Sequence, residues 1–145
     1  MSVSPLEPYE LLLREIVRST CVIDGRITEA AFLDLFAANA NDPGGSSCTR
    51  EALNNSPSPT PPRDAYARGR VGDLPGGFTF VDQSWEVFAA CVVDAQRGPE
   101  HAEVRARPTS AAPALDAHRP SPDNKAARQL RKNMRMAVAA IFHPV

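Results

Sequence analysis

The residues best suited to bind another molecule lie close together near the end of the sequence. Five basic side chains follow one another within eleven positions: Lys125, Arg128, Arg131, Lys132 and Arg135. Ammonium and guanidinium groups bind carboxylates and phosphates, so the cluster suits an acidic protein, a nucleic acid or an anionic membrane surface. No aromatic residue is interleaved with the cluster, which disfavours binding to single-stranded nucleic acid.

Apolar residues in the same segment recur at helical spacing. Leu130, Met134 and Ile141 lie on one seam with small alanines, and this pattern predicts a basic amphipathic helix over residues 123–145. A helix of this kind presents either its apolar stripe or its basic side chains to a partner. The candidate partner-binding residues are therefore Leu130, Met134, Ile141, Arg128, Arg131 and Arg135.

Patterns typical of catalysis are missing from the sequence. It contains no glycine-rich phosphate loop, no G-x-S-x-G nucleophile motif and no H-E-x-x-H zinc motif. His101 and His118 fall in proline-rich stretches and His143 lies near the C-terminus, where a rigid catalytic base is not expected. We therefore expect a protein that is not an enzyme and that uses no cofactor and no metal.

The compartment can be judged from three features. The first residues lack the basic start and the apolar run of a secretory signal, and every apolar stretch, 137–142 included, is far too short to span a bilayer. Cys21, Cys48 and Cys91 are odd in number and widely spaced, which predicts reduced thiols rather than disulfides or a zinc site. We expect a cytoplasmic protein, with a nuclear or host-cell intracellular location left open.

Proline-free windows mark where regular structure is expected, because proline inside a helix loses a hydrogen bond and clashes with the preceding turn. In residues 1–42, Ser4 and Glu7 match a capping box, and apolar residues then follow at three- and four-residue steps. Gly25 interrupts the pattern, after which Thr28 is placed to cap a second helix. This segment predicts an N-terminal helical hairpin over 1–42.

The middle window, residues 76–98, carries two conflicting signals. Phe78 and Phe80 alternate with a polar residue as in a short strand, whereas Asp82 suits the N-cap of a helix with an apolar stripe beginning at Trp85. We favour the helix, from about Gln83 to Gln96. Its apolar face is broad, which predicts burial on more than one side.

The segments 43–75 and 99–122 are rich in proline, serine, arginine and alanine and have few large apolar residues. Such segments bury too little surface to offset the entropy lost on ordering, which predicts flexible linkers. The expected fold is therefore all-α: a small helical hairpin or bundle of about four helices, joined by long proline-rich disordered connections.

Charge is distributed unequally between the two ends. Residues 1–45 contain three arginines and seven acidic residues, whereas residues 123–145 contain five basic residues and one acidic residue. The basic helix therefore either packs on the acidic N-terminal hairpin or presents its apolar stripe elsewhere. We predict a protein–protein interaction or regulatory protein whose partner is another protein or a second copy. Binding to nucleic acid or an anionic membrane through the basic helix is the alternative.

Overall fold

Antiparallel strand pairing is the main feature of the fold. The computed structural model describes residues 2–36, 44–54 and 58–145. The strands are β1 (Ser2–Pro5), β2 (Leu11–Ile16), β3 (Val22–Ile23), β4 (Arg26–Ile27), β5 (Ser46–Arg50), β6 (Ala65–Arg70), β7 (Phe78–Phe80), β8 (Gln83–Val93), β9 (His101–Pro108) and β10 (His143–Pro144). The α-helices are α1 (Arg18–Cys21) and α2 (Lys125–Ile141). Short 3-10 helices cover Glu29–Phe32, Glu51–Leu53, Val71–Asp73 and Thr109–Ala111.

One antiparallel sheet contains eight of these strands. Its order is β1-β8-β9-β5-β2-β6-β10, with β7 paired to the beginning of β8, while β3 and β4 form a separate hairpin. At one end of β8, Val93 is opposite Ser2 of β1. At the other end, Trp85 is opposite Phe78 of β7 and Pro108 of β9. The sheet therefore joins segments that are far apart in the sequence.

The hydrophobic core lies on one face of this sheet. Leu12 and Val104 face it and are fully buried. α2 and the 3-10 helix Glu29–Phe32 pack on the same side, where the rings of Phe32 and Phe142 lie 4.8 Å apart between centroids. Removing apolar surface from water contributes about 25 cal/mol per Å², so the burial of this layer stabilises the fold.

Arginine side chains hold the proline-rich segment after β9 against the sheet face opposite the core. Arg107 Nη2 donates to Glu86 Oε2 at 2.9 Å, and the guanidinium lies over the ring of Phe88. Arg107 Nη1 also donates to the carbonyl of Ala114, and Arg105 donates to the next carbonyl at 2.6 Å. Bonds from arginine to main-chain carbonyls therefore hold a segment that has few apolar side chains.

The predicted all-α fold is wrong, because the described residues form mainly an antiparallel sheet. In place of the helical hairpin predicted over 1–42, the chain forms β1, β2 and the β3–β4 hairpin. In β2, Leu12 and Ile16 are buried on the core face, and Leu13 is buried on the other face. Apolar side chains on both faces conceal the two-residue alternation of a strand. Residue 1 and residues 37–42 of that prediction lie outside the described residues.

The predicted caps of that hairpin have other roles. Ser4 pairs with Cys91 in the sheet, and so does not begin a helix. Thr28 precedes only the 3-10 helix Glu29–Phe32, and its side chain makes no cap hydrogen bond there. Instead, Thr28 Oγ1 donates to the carbonyl of Thr20 at 3.1 Å. A cap residue signals a helix only when the following residues can continue it.

The helix predicted from about Gln83 to Gln96 is also wrong, since these residues form β8 (Gln83–Val93). Val87 and Cys91 lie in the core, while Phe88 and Val92 are buried on the other face. A continuous apolar run has no period that separates a buried strand from a buried helix. Its valines and aromatic residues favour a strand.

The predicted flexible linkers contain three strands of the sheet. β5 and β6 lie within 43–75, and β9 lies within 99–122. In β9 the core-facing side chains are small, namely Ala102, Val104 and Ala106. Pairing with neighbouring strands supplies main-chain hydrogen bonds, so few large side chains are needed. Residue 43 and residues 55–57 lie outside the described residues.

Candidate functional site

α2 is present where the sequence predicts a basic amphipathic helix. Asn124 caps it, since the Asn124 Oδ1 accepts a hydrogen bond from the N–H of Ala127 at 2.9 Å. The apolar stripe of the helix packs against the core of the same molecule. Leu130 is buried and Met134 is fully buried in the core. These two predicted partner-binding residues therefore hold α2 against the sheet.

The predicted arginines divide into two paired side chains and one exposed side chain. Arg131 Nη1 lies 3.0 Å from Asp123 Oδ1, and Arg135 Nε lies 3.5 Å from Glu29 Oε2. The bond from Arg131 holds the pKa of the Asp123 carboxyl below its ordinary value. Arg128 is exposed. The pair between Arg135 and Glu29 joins the basic helix to the acidic N-terminal segment.

The exposed side of α2 changes in character along its length. Lys125, Arg128 and Lys132 lie on this side and form no ion pair with any residue in the described part of the chain. One turn beyond Lys132, Met136 is 52% exposed, and Ala140 is exposed as well. The helix thus presents three cations at one end and an apolar patch at the other.

A groove of about 650 Å³ separates the exposed side of α2 from the β3–β4 hairpin. We call it the β4–α2 groove. Its hairpin wall contains Arg26 and Ile27, and its helix wall contains Lys132, Met136 and Ala140. Phe142 also lines it. Cavities of this size hold small molecules or short peptide segments.

The floor of the groove is fixed by a glycine. A side-chain carbon added at Gly69 of β6 would lie 2.8 Å from the ring of Phe142. The absence of that carbon lets Phe142 pack directly on the strand, where it also contacts Phe32. Phe142 therefore forms an apolar floor beneath the groove.

The hairpin wall contains β4, whose outer edge is free in the sense that it pairs with no other strand of the described chain. Asp24 and Gly25 have φ angles of 53° and 74°, as in the type I′ turn that joins closely paired strands. Ile23 pairs with Arg26 beside this turn, and the N–H of Thr28 donates to the carbonyl of Cys21 at 2.8 Å. Hydrogen-bonded pairs alternate along an antiparallel ladder. The N–H and carbonyl of the intervening Ile27 therefore point away from β3.

The groove carries net positive charge. Arg26 and Lys132 stand on opposite walls, and neither forms an ion pair with a described residue. The carboxylate of Glu29 also lines the groove, but Arg135 lies beside it and balances its charge. An acidic ligand is therefore favoured over a basic one.

Ile141, the remaining predicted partner-binding residue, lines a different cavity. This second cavity measures about 380 Å³ and is also lined by Arg68, Arg70 and His143. Ile141 is partly buried there. Since His143 lines both cavities, the β10 segment separates them. The structure therefore does not bring Ile141 onto the same exposed surface as Arg128.

Sequence reasoning missed the groove because its walls come from distant segments. The strongest local signal is Asp24-Gly25, since this dipeptide favours the tight turn of a hairpin. Met136 and Ala140 belong to the predicted helix, but their exposure depends on which side of α2 meets the sheet. The packing of Met134 against the core determines that Met136 and Ala140 face solvent.

Among residues 2–36, 44–54 and 58–145, no group of three histidine, cysteine or acidic side chains is placed to hold a metal ion. No helix of the described chain has the length and apolar character required to cross a membrane. No protein-family model, no curated protein and no solved structure matches the chain.

Proposed function

We propose that this is a non-enzymatic protein-interaction protein that binds a segment of a partner protein in the β4–α2 groove. The observation that carries the proposal is the exposed Met136 beside a groove whose flanking cations, Arg26 and Lys132, form no ion pair within the described chain. Exposed methionine adapts its shape to a bound partner. An apolar patch rimmed by charge is typical of a protein-binding surface.

This proposal moves the binding surface from the buried stripe of α2 to its exposed side. Leu130 and Met134 stabilise the fold, and a partner reaches neither without unfolding it. Arg128 remains a candidate contact, because it extends the positive charge of Lys132 along the helix. We further propose a cytoplasmic site of action, which the buried free thiols of Cys21, Cys48 and Cys91 support.

Binding to nucleic acid or an anionic membrane is the competing function, and Lys125, Arg128 and Lys132 are the observation in its favour. The two functions differ in their response to salt. Binding that depends on counterion release weakens steeply as salt rises, whereas an apolar contact at Met136 changes little. Phe142 is buried beneath the groove and cannot stack on a base, which favours a protein partner.

A photo-crosslinking amino acid placed at Met136 tests the proposal in living cells. The matched control carries the same amino acid at Leu53, because Leu53 and Met136 are both 52% exposed. We expect a discrete protein adduct from position 136, absent from position 53 and lost when Lys132→Glu is added. The absence of an adduct at position 136, or the same adducts from both positions, would contradict the proposal.

A further inference from the structure

We infer that the occupant of the β4–α2 groove is an extended, acidic peptide segment that pairs with the free edge of β4. This inference rests on the proposed function and adds the conformation and the chemistry of the partner segment. Three independent features of the groove carry it. They are the main-chain groups of Ile27, the apolar surface of Met136 and Ala140, and the cations Arg26 and Lys132.

The strand edge determines the conformation of the occupant. The N–H and carbonyl of Ile27 point away from β3, and no described residue outside the hairpin is hydrogen-bonded to them. An extended peptide satisfies both groups at once by adding a strand. A helix cannot do so, because its own N–H and carbonyl groups are bonded internally. The edge of β4 therefore selects an extended segment.

The apolar surface determines which side chains the segment carries. Alternate side chains of an extended peptide point to opposite sides. Those that point into the groove meet Met136 and Ala140, the exposed apolar residues of its helix wall. An apolar side chain is favoured at these positions because it buries surface against both.

The cations determine the charge of the segment. Arg26 lies on β4, and Lys132 lies across the groove on α2. Arg128 and Lys125 continue the same line of positive charge for about 10 Å along the helix, at 1.5 Å per residue. Carboxylates at alternate positions of the peptide, on the side that faces solvent, lie near these cations. The partner segment therefore alternates apolar and acidic residues.

A synthetic decapeptide of alternating valine and glutamate, labelled with fluorescein, is the probe. Its binding to the full chain is followed by fluorescence anisotropy. Two altered peptides isolate the two parts of the inference. In one, every glutamate is replaced by glutamine; in the other, the central main-chain nitrogens are methylated, which removes strand pairing but keeps the charge. We expect each altered peptide to bind at least about tenfold more weakly, the equivalent of about 1.4 kcal/mol.

Variants of the protein give a matched comparison. Lys132→Glu places a repulsive charge on the groove wall, and we expect the affinity for the valine–glutamate peptide to fall at least about tenfold. Arg63→Glu makes the same charge reversal at an exposed residue that does not line the groove, and we expect no change. Circular dichroism of both variants establishes that the fold is retained.

Several outcomes would overturn the inference. They are the absence of saturable binding to the native chain, equal affinity for the methylated peptide, or tighter binding of an acidic helical peptide. A partner crosslinked at Met136 without peptide binding leaves the proposed function standing and removes only this inference. If neither a crosslinked partner nor peptide binding is found, both the proposed function and this inference are wrong. Binding that is insensitive to methylation but steeply dependent on salt identifies a general polyanion site instead.

Discussion

The guanidinium of Arg107 lies 4.0 Å from the centroid of the Phe88 ring. The same guanidinium is paired with Glu86 at 2.9 Å and is bonded to the carbonyl of Ala114. Both residues of the stacked pair lie on the sheet face opposite α2. Arg107 therefore connects two strands with the proline-rich segment that crosses them.

Arg107→Lys should lower the free energy of unfolding by about 1–2 kcal/mol, measured by urea denaturation. Lysine retains the charge but loses the planar stacking on Phe88 and the simultaneous bonds to Glu86 and Ala114. The Arg107 side chain is only 10% exposed, so solvent screens these contacts weakly. Arg63→Lys, at an exposed position, serves as the control. Equal stability of the two variants would show that the arginine contacts contribute nothing.

Two methionines on α2 provide a test of which side of the helix is buried. Met134→Ala should destabilise the protein by about 2–5 kcal/mol, because Met134 is fully buried and its removal leaves a cavity. Met136→Ala should change stability by less than about 0.5 kcal/mol, because Met136 is exposed. Thermal and urea unfolding measure both. A reversed order would mean that the opposite side of α2 faces the sheet.

Acid should weaken the turn that follows β8. Arg97 bonds the Asp94 carboxylate and, with further bonds from the N–H groups of Gln96 and Arg97, lowers the pKa of Asp94 from 3.8 to about 2. A carboxyl whose pKa is depressed in the folded state stabilises the fold above its unfolded pKa. That contribution is therefore complete above about pH 4 and is lost as the pH falls towards 2.

Carboxyl NMR titration measures this shift directly. Arg97→Gln should return the pKa of Asp94 towards its ordinary value, because the first and largest cause of the shift is removed. Arg63→Gln removes an arginine elsewhere and should leave the pKa of Asp94 at about 2. An unchanged titration of Asp94 in Arg97→Gln would refute the assignment of the shift to Arg97.

Cys48 should be inert towards alkylation in the folded protein. Burial raises the pKa of its thiol to about 12, so roughly one thiol in ten thousand is ionised at pH 8. Iodoacetamide followed by mass spectrometry should leave Cys48 unmodified until urea is added. Ser110→Cys introduces an exposed thiol as an internal standard. Modification of Cys48 at the rate of that standard would place Cys48 on the surface.

α2 was predictable because its environment differs between its two sides. Met134 and Leu130 face the core while Arg128 and Lys132 face solvent. The sequence therefore alternates between apolar and charged residues at helical spacing, and this pattern identifies the helix. β8 lacks such a contrast. Val87 and Phe88 are successive in sequence and buried on opposite faces, so the pattern contains no period to read.

The sequence of β9 has the alternation of a strand, but the prolines of the surrounding segment, residues 99–122, favoured a linker instead. Its core residues Ala102 and Val104 alternate with the polar side chains of Glu103 and Arg105, as a strand with one apolar face requires. Pro108 ends the strand, where a missing N–H costs little. Proline marks the limits of a strand as readily as it marks a linker. The groove could not be predicted, because Ile27 and Met136 meet only through the packing of α2.

β1 has a consequence for how the protein behaves at high concentration. From Val87 to Val93, β8 is uncharged and rich in β-forming residues, the composition of segments that assemble into fibrils. β1 pairs with Ala90 to Val93 and so occupies the edge that another chain would use. β1 itself offers only four residues and ends in Pro5, which has no N–H to donate. Ser2–Pro5 therefore shields part of an aggregation-prone stretch, Ala90 to Val93, from other copies of the chain.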